Sequence, residues 1–141
     1  MGFYAVIDTN VLVSALLSSR EDTATVQVIA RMLAGEITPV YSGAILAEYR
    51  EVLRRKKFGF SPNIVNQLLD TVAKFGLLVE PTPTGVILPD MKDLPFYEVV
   101  LDKREDGAYL VTGNLKHFPR ESFIVTAREM LELLDGKSAV K

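Results

Sequence analysis

The apolar run Phe3-Tyr4-Ala5-Val6-Ile7, closed by Asp8-Thr9, constrains this chain more than any other feature. Five apolar residues without alternation read as a strand buried on both faces, the habit of parallel sheets. Parallel strands require helical crossovers, so the run by itself points to an α/β chain. The carboxylate at its end adds a second constraint. Open α/β sheets bind ligands outside the carboxyl ends of their strands, and Asp8 stands there with a helical stretch starting at Asn10. Taken alone, Asp8 is read as a helix cap.

The rest of the chain alternates in the same sense. Helices are expected over Asn10–Leu17, Thr25–Leu33, from about Gly43 to Lys57, from Pro62 to near Gly76, and from near Leu94. The first of these is apolar nearly all round and so expected to be well buried. Strands are expected at Pro39-Val40-Tyr41, Leu77-Leu78-Val79, Ala108-Tyr109-Leu110-Val111 and Phe123-Ile124-Val125. Ser61-Pro62 supplies an N-cap and a first-turn proline, and Thr126-Ala127-Arg128-Glu129 reads as a capping box opening the last helix. Pro81 to Pro89, with three prolines and a glycine, is loop. No repeat or internal boundary is visible, which gives one domain over 1–135 and a frayed tail over 136–141.

Composition removes several function classes. The 141 residues, 48% hydrophobic and 24% charged, are those of a globular domain with a core of its own. No stretch has the length of a membrane span, and Asp8 interrupts the one candidate signal segment, so a cytoplasmic protein is expected. With no cysteine and one histidine, disulfides, thiolate sites and His-rich zinc centres are excluded. Any metal would be held by oxygen, which favours Mg²⁺ or Mn²⁺. A formal net charge of −2 argues neither for nor against nucleic acid, since binding needs only a local basic surface.

Parallel topology puts strand carboxyl ends and the amino ends of the following helices along one edge. Asp8 ends the first strand. Glu48 lies in the second turn of the next helix but one, between the apolar Ile45 and Val52. Asp93 opens the helix after the proline loop, and Asn114 follows the fourth strand. Each can be a cap, turn or solvated residue. Together they bring three carboxylates and an amide to one edge, where mutual repulsion is relieved by a hard divalent cation. Such a cation polarises a phosphoryl oxygen and activates water, so phosphodiester hydrolysis is the natural chemistry.

These residues resemble a PIN domain. The likeness is carried by Asp8-Thr9-Asn10, by Glu48 in Leu46-Ala47-Glu48-Tyr49, by Asp93 in Asp90-Met91-Lys92-Asp93-Leu94-Pro95-Phe96, and by Tyr109-Leu110-Val111-Thr112-Gly113-Asn114. It is nearest to the toxin-type PIN proteins of prokaryotic toxin–antitoxin pairs (VapC-like). The resemblance implies a three-layer α/β/α sandwich around a parallel five-stranded sheet of order 3-2-1-4-5. It implies a Mg²⁺- or Mn²⁺-dependent endoribonuclease with Asp8, Glu48 and Asp93 as metal ligands and Asn10 and Thr112 orienting them. The family often carries a fourth acid where this chain has Asn114, which costs one negative charge and weakens any second metal. A small protein antitoxin is the implied partner.

An RNA substrate needs cations around the acids, and Lys116, His117 and Arg20 are the candidates; Arg54-Arg55-Lys56-Lys57 closes a helix end expected to point away from the edge. Phe58 and Phe60 read as closing that helix rather than stacking on bases, and Glu98 as solvated. Surplus apolar surface along Ile64 to Phe75 suggests a homodimer or higher homo-oligomer. Two other functions stay open. One is a catalytically weak or silent RNA-binding module on the same fold. The other is a phosphatase of the haloacid-dehalogenase type, whose second aspartate would fall at Asn10.

Overall fold

In the computed structural model, which describes residues 2–136, a five-stranded sheet runs through the molecule with every pairing parallel. Its strands are β1 (Phe3–Ile7), β2 (Ile37–Tyr41), β3 (Leu77–Leu78), β4 (Tyr109–Val111) and β5 (Ile124–Val125), in the order β3-β2-β1-β4-β5. The helices are α1 (Thr9–Leu17), α2 (Ala24–Leu33), α3 (Gly43–Leu53), α4 (Pro62–Phe75), α5 (Leu94–Asp102) and α6 (Ala127–Leu134). Contacts link α1 to α2 and α2 to α6, and link α3 to α4 and α5, with α1 also meeting α3 and α5 lying across β1, β2 and β4. The result is the expected three-layer α/β/α sandwich.

Strand order decides where a ligand can bind. The chain moves from β1 outward through β2 to β3, then returns to the other side of β1 for β4 and β5. The reversal opens a crevice at the carboxyl ends of β1 and β4. Residues Ala5, Val6 and Ile7 pair there with Tyr109, Leu110 and Val111.

Several local expectations need correction. Burial of β1 on both faces holds only for Ala5, Val6 and Ile7; Tyr4 is exposed and Phe3 half-buried against the Tyr109 ring, 6.2 Å away. Helical cover thus begins at the half of the strand that leads to Asp8. In α1 only Thr9, Val11 and Leu12 are buried, and Leu17 is 57% exposed, because an apolar circumference does not bring neighbours to every side. Helix α3 stops at Leu53 instead of Lys57, and the chain turns through Arg55 and Phe58, whose amides donate to the carbonyls of Val52 and Arg55. Gly59, at φ +64°, completes that reversal in the left-handed region.

Ser61 occupies the N-cap position of α4 but makes no side-chain capping bond. The Thr126–Glu129 capping box is present in both directions. Glu98 is not simply solvated: its carboxylate accepts from the Thr84 amide and hydroxyl, fastening the proline loop to α5. Expectations for the tail fall almost wholly on residues 137–141, outside the described residues. Among those described, no helix is long and apolar enough to cross a membrane.

Candidate functional site

Asp8 is placed by the sheet. Its amide donates to the Val111 carbonyl at 2.9 Å, which extends the β1–β4 ladder one residue beyond the strands. It also stands at the N-cap position of α1, yet its carboxylate makes no capping bond there. Instead Asp8 Oδ2 accepts from the Thr112 hydroxyl at 2.8 Å. Thr112 is fully buried, and its own hydroxyl oxygen accepts from the Asn114 amide at 3.0 Å. Asp8 is therefore an N-cap by position whose carboxylate lines the crevice.

Glu48 arrives by way of its neighbour. Tyr49 is buried against Phe96 and donates its hydroxyl to the Ile7 carbonyl, which fastens α3 to the end of β1. The preceding residue is thereby carried to the crevice, where the Glu48 carboxylate accepts from the Thr9 hydroxyl. Ser42 starts this helix by accepting from the Ile45 amide at 3.2 Å. Asp93 ends a single 3-10 turn, Met91–Asp93, that Asp90 caps through the Lys92 amide. Its Oδ2 lies 3.0 Å from His117 Nδ1.

Asp8, Glu48 and Asp93 line one open groove of about 440 Å³, together with Thr9, Asn10, Arg55, Phe58 and Lys92. Electrostatics bind the acids into one system. Burial pushes the Asp8 carboxyl up to about 6, the Thr112 bond opposes the rise, and the charges of Asp93 and Glu48 add to it. Asp93 is also raised, by burial first, with His117 opposing. The Tyr49 hydroxyl, buried beside Asp8 and Glu48, is held far above the ordinary phenol range.

The acids converge without closing. Among the described residues, no three histidine or carboxylate side chains are gathered tightly enough to ligate a single ion as they stand. Glu48 bonds Thr9 and Asp93 bonds His117, each through one carboxylate oxygen. The donor set nevertheless fits a hard divalent cation, being all oxygen, partly desolvated and mutually repelling.

The other expected residues divide. The Asn10 side-chain Oδ1 accepts from the Gly113 amide at 3.3 Å and so clamps the turn after β4, while the Asp8 carboxylate is held by the Thr112 hydroxyl. Asn114 sits at the end of β4, but its side chain is exposed and does not line the groove. His117, partly exposed, is paired with Asp93 through Nδ1. Lys116 lines a separate depression with Arg120. Arg20 follows the far end of α1 and is engaged by Asp22 through two hydrogen bonds.

Sequence reasoning missed Arg55, Phe58 and Lys92 as groove residues, and the end of α3 does not point away as expected. A signal was available: Glu48, Glu51, Val52 and Arg55 are spaced i, i+3, i+4 and i+7, one helical face.

A family model described as PIN domain matches residues 4–116, most of the chain and every element that carries the groove. This chain belongs to the PIN domain family, whose fold is of nuclease type and whose members are in general metal-dependent nucleases. No curated protein and no solved structure matches the chain.

Proposed function

We propose that this protein is an endoribonuclease, dependent on Mg²⁺ or Mn²⁺, that hydrolyses RNA phosphodiester bonds and serves as the toxin of a VapC-like toxin–antitoxin pair. The observation that supports this reading is the convergence of Asp8, Glu48 and Asp93, from three separate elements, on one groove at the switch point of the sheet. In the proposal these three carboxylates hold the cation. When bound, it supplies charge neutralisation at the phosphoryl oxygens and a lowered pKa for water.

The chain's own residues have distinct tasks. Thr112 fixes the direction of the Asp8 carboxylate and favours its ionised form against burial. Thr9 and His117 orient the Glu48 and Asp93 carboxylates, which would hold the cation, through one hydrogen bond each. Asn114 stands at the fourth position with one charge less than a carboxylate and lies outside the groove lining. Lys92, at the groove, meets the phosphate backbone.

The test is incubation with a mixed RNA pool in Mn²⁺ or Mg²⁺, with EDTA and Asp93→Asn as controls. Metal-dependent cleavage by the wild type alone is expected. Absence of cleavage, or equal cleavage by the variant, rejects the nuclease reading. A silent RNA-binding module is the second reading, and the loosely gathered acids together with Asn114 favour it. The phosphatase has less to recommend it, since Asn10 cannot act as an acid and its amide is committed to Gly113.

We also propose an antitoxin that occupies the groove, and self-association through the face between α2 and α4. There Leu33, Ile64 and Phe75 are 53%, 51% and 73% exposed around an apolar hollow.

A further inference from the structure

The groove continues beyond the acids into a feature that hydrolysis by itself does not require. The lining passes from Glu48 and Glu51 on α3 to Arg55, just past the helix end at Leu53, and on to the ring of Phe58 in the same turn. Phe58 lies flat on Phe60, with centroids 5.2 Å apart and planes within 8°. The two rings have different surroundings. Phe60 packs on the hydrophobic core, whereas Phe58 is stacked on Phe60 and faces the groove.

Closure of the α3 end explains Phe60. It does not explain why a second ring is laid on the first and turned to the groove wall. The exposed Lys57 ammonium stands 5.2 Å from the Phe58 centroid, so the ring already attracts a cation, one on a flexible side chain that a stacking base would displace toward its own phosphates. On the groove lining, Lys92 has no close ion-pair partner among the described residues. An aromatic face with two cations nearby is the composition of a single-strand nucleic-acid site, where a base stacks and its phosphates are neutralised. A base within a duplex has both faces occupied by its neighbours.

We propose that Phe58, backed by Phe60, is a stacking platform for an unpaired nucleobase of single-stranded RNA, with Lys57 and Lys92 on the flanking phosphates. The inference deepens the nuclease reading, on which it rests for the path of the strand past Asp8, Glu48 and Asp93. The stacked base then lies along the groove from the acids, on the far side of Arg55. Arg55, held by Glu51 through two hydrogen bonds, forms the wall between them.

The test is fluorescence anisotropy in EDTA, with a labelled eight-nucleotide single-stranded RNA, the same sequence as a duplex, and its single-stranded DNA counterpart. Phe58→Leu is expected to weaken single-stranded RNA binding about tenfold or more, while Phe58→Tyr stays near the wild type. The duplex should bind weakly and to both proteins alike. Lys92→Gln and Lys57→Gln, at exposed positions, should each lower the slope of log Kd against log salt by about 0.7, which serves even if Phe58→Leu does not fold. Equal affinity of wild type and folded Phe58→Leu, preference for the duplex, Phe58 dependence seen with DNA alone, or an unchanged salt slope overturns the platform. Cleavage assays separate the two proposals. Metal-dependent cleavage with no Phe58 effect on binding rejects the platform and keeps the nuclease. Phe58-dependent binding without cleavage rejects the nuclease and keeps the platform.

Discussion

The Thr112 hydroxyl donates to Asp8 Oδ2 at 2.8 Å, joining residues 104 positions apart in the chain. The parallel pairing of β1 with β4 makes the bond, since Asp8 and Thr112 each follow the last residue of one of those strands. Two opposing effects meet there. Burial disfavours the carboxylate, and a donor aimed at it favours the charged form. Burial outweighs the Thr112 bond, and the Asp8 carboxyl is held at about 6.

Thr112→Val keeps the shape of the buried side chain and removes the donor. Loss of a hydrogen bond to a charged, buried group costs about 1–3 kcal/mol, and the Asn114 amide loses its acceptor as well. A urea midpoint at pH 7.5 should fall accordingly, and Thr112→Ser should restore most of it. The Asp8 pKa should move above about 6 in the valine variant, because the bond that lowers it is gone. Unchanged stability and titration would mean the bond is incidental.

The raised pKa of Asp8 has a definite sign for stability. Its ordinary value is 3.8 and its folded value about 6, so between these the folded chain binds the extra proton. The stabilising contribution is complete below about pH 4 and is lost as pH rises to about 6, on the order of 3 kcal/mol in all. In EDTA, Asp8→Asn should therefore exceed the wild type in thermal midpoint at pH 7.5 and match it near pH 4. Asp93, also raised, acts in the same direction in both proteins. A gap independent of pH would show that Asp8 is not the titrating group.

How much of this was legible in the sequence follows from range. Asp8, Glu48 and Asp93 could be placed at one edge because parallel topology converts strand order into position, and the 3-2-1-4-5 order followed from the resemblance. The capping box at Thr126 was legible because its partners are three residues apart. The pairing of His117 with Asp93 was not, since it joins two 3-10 turns from different parts of the chain through side-chain rotamers. The extent of β1 cover and the turn after Leu53 depend on which neighbours reach those residues, and no periodicity encodes that. Arg55 was legible in principle, from its seven-residue separation from Glu48, once the whole α3 face and not its end was considered.

Cation binding should stabilise the fold in proportion to the repulsion it relieves. At 100 times Kd, a ligand specific for the folded state adds about 2.7 kcal/mol. Mn²⁺ should accordingly raise the thermal midpoint of the wild type, and should not raise that of Asp8→Ala. Asp93→Asn should show an intermediate shift, since Asp93 is the less buried of the two raised acids. Identical shifts in the wild type and Asp8→Ala would place the Mn²⁺ elsewhere on the surface.

Asn114 is the position where this chain carries an amide at the end of β4, and its exposed side chain makes the exchange for a carboxylate structurally mild. Asn114→Asp should cost little stability without metal, because an exposed charge is screened. With metal, the added carboxylate should tighten Mn²⁺ about tenfold, read as a leftward shift of thermal midpoint against Mn²⁺ concentration. Asn114→Ala supplies the comparison. If the amide oxygen contributes, alanine weakens Mn²⁺; if only missing charge matters, alanine and the wild type coincide while aspartate binds tighter. Should all three coincide, Asn114 lies too far from the cation to act, in keeping with its place outside the groove lining, and the site consists of the three acids alone.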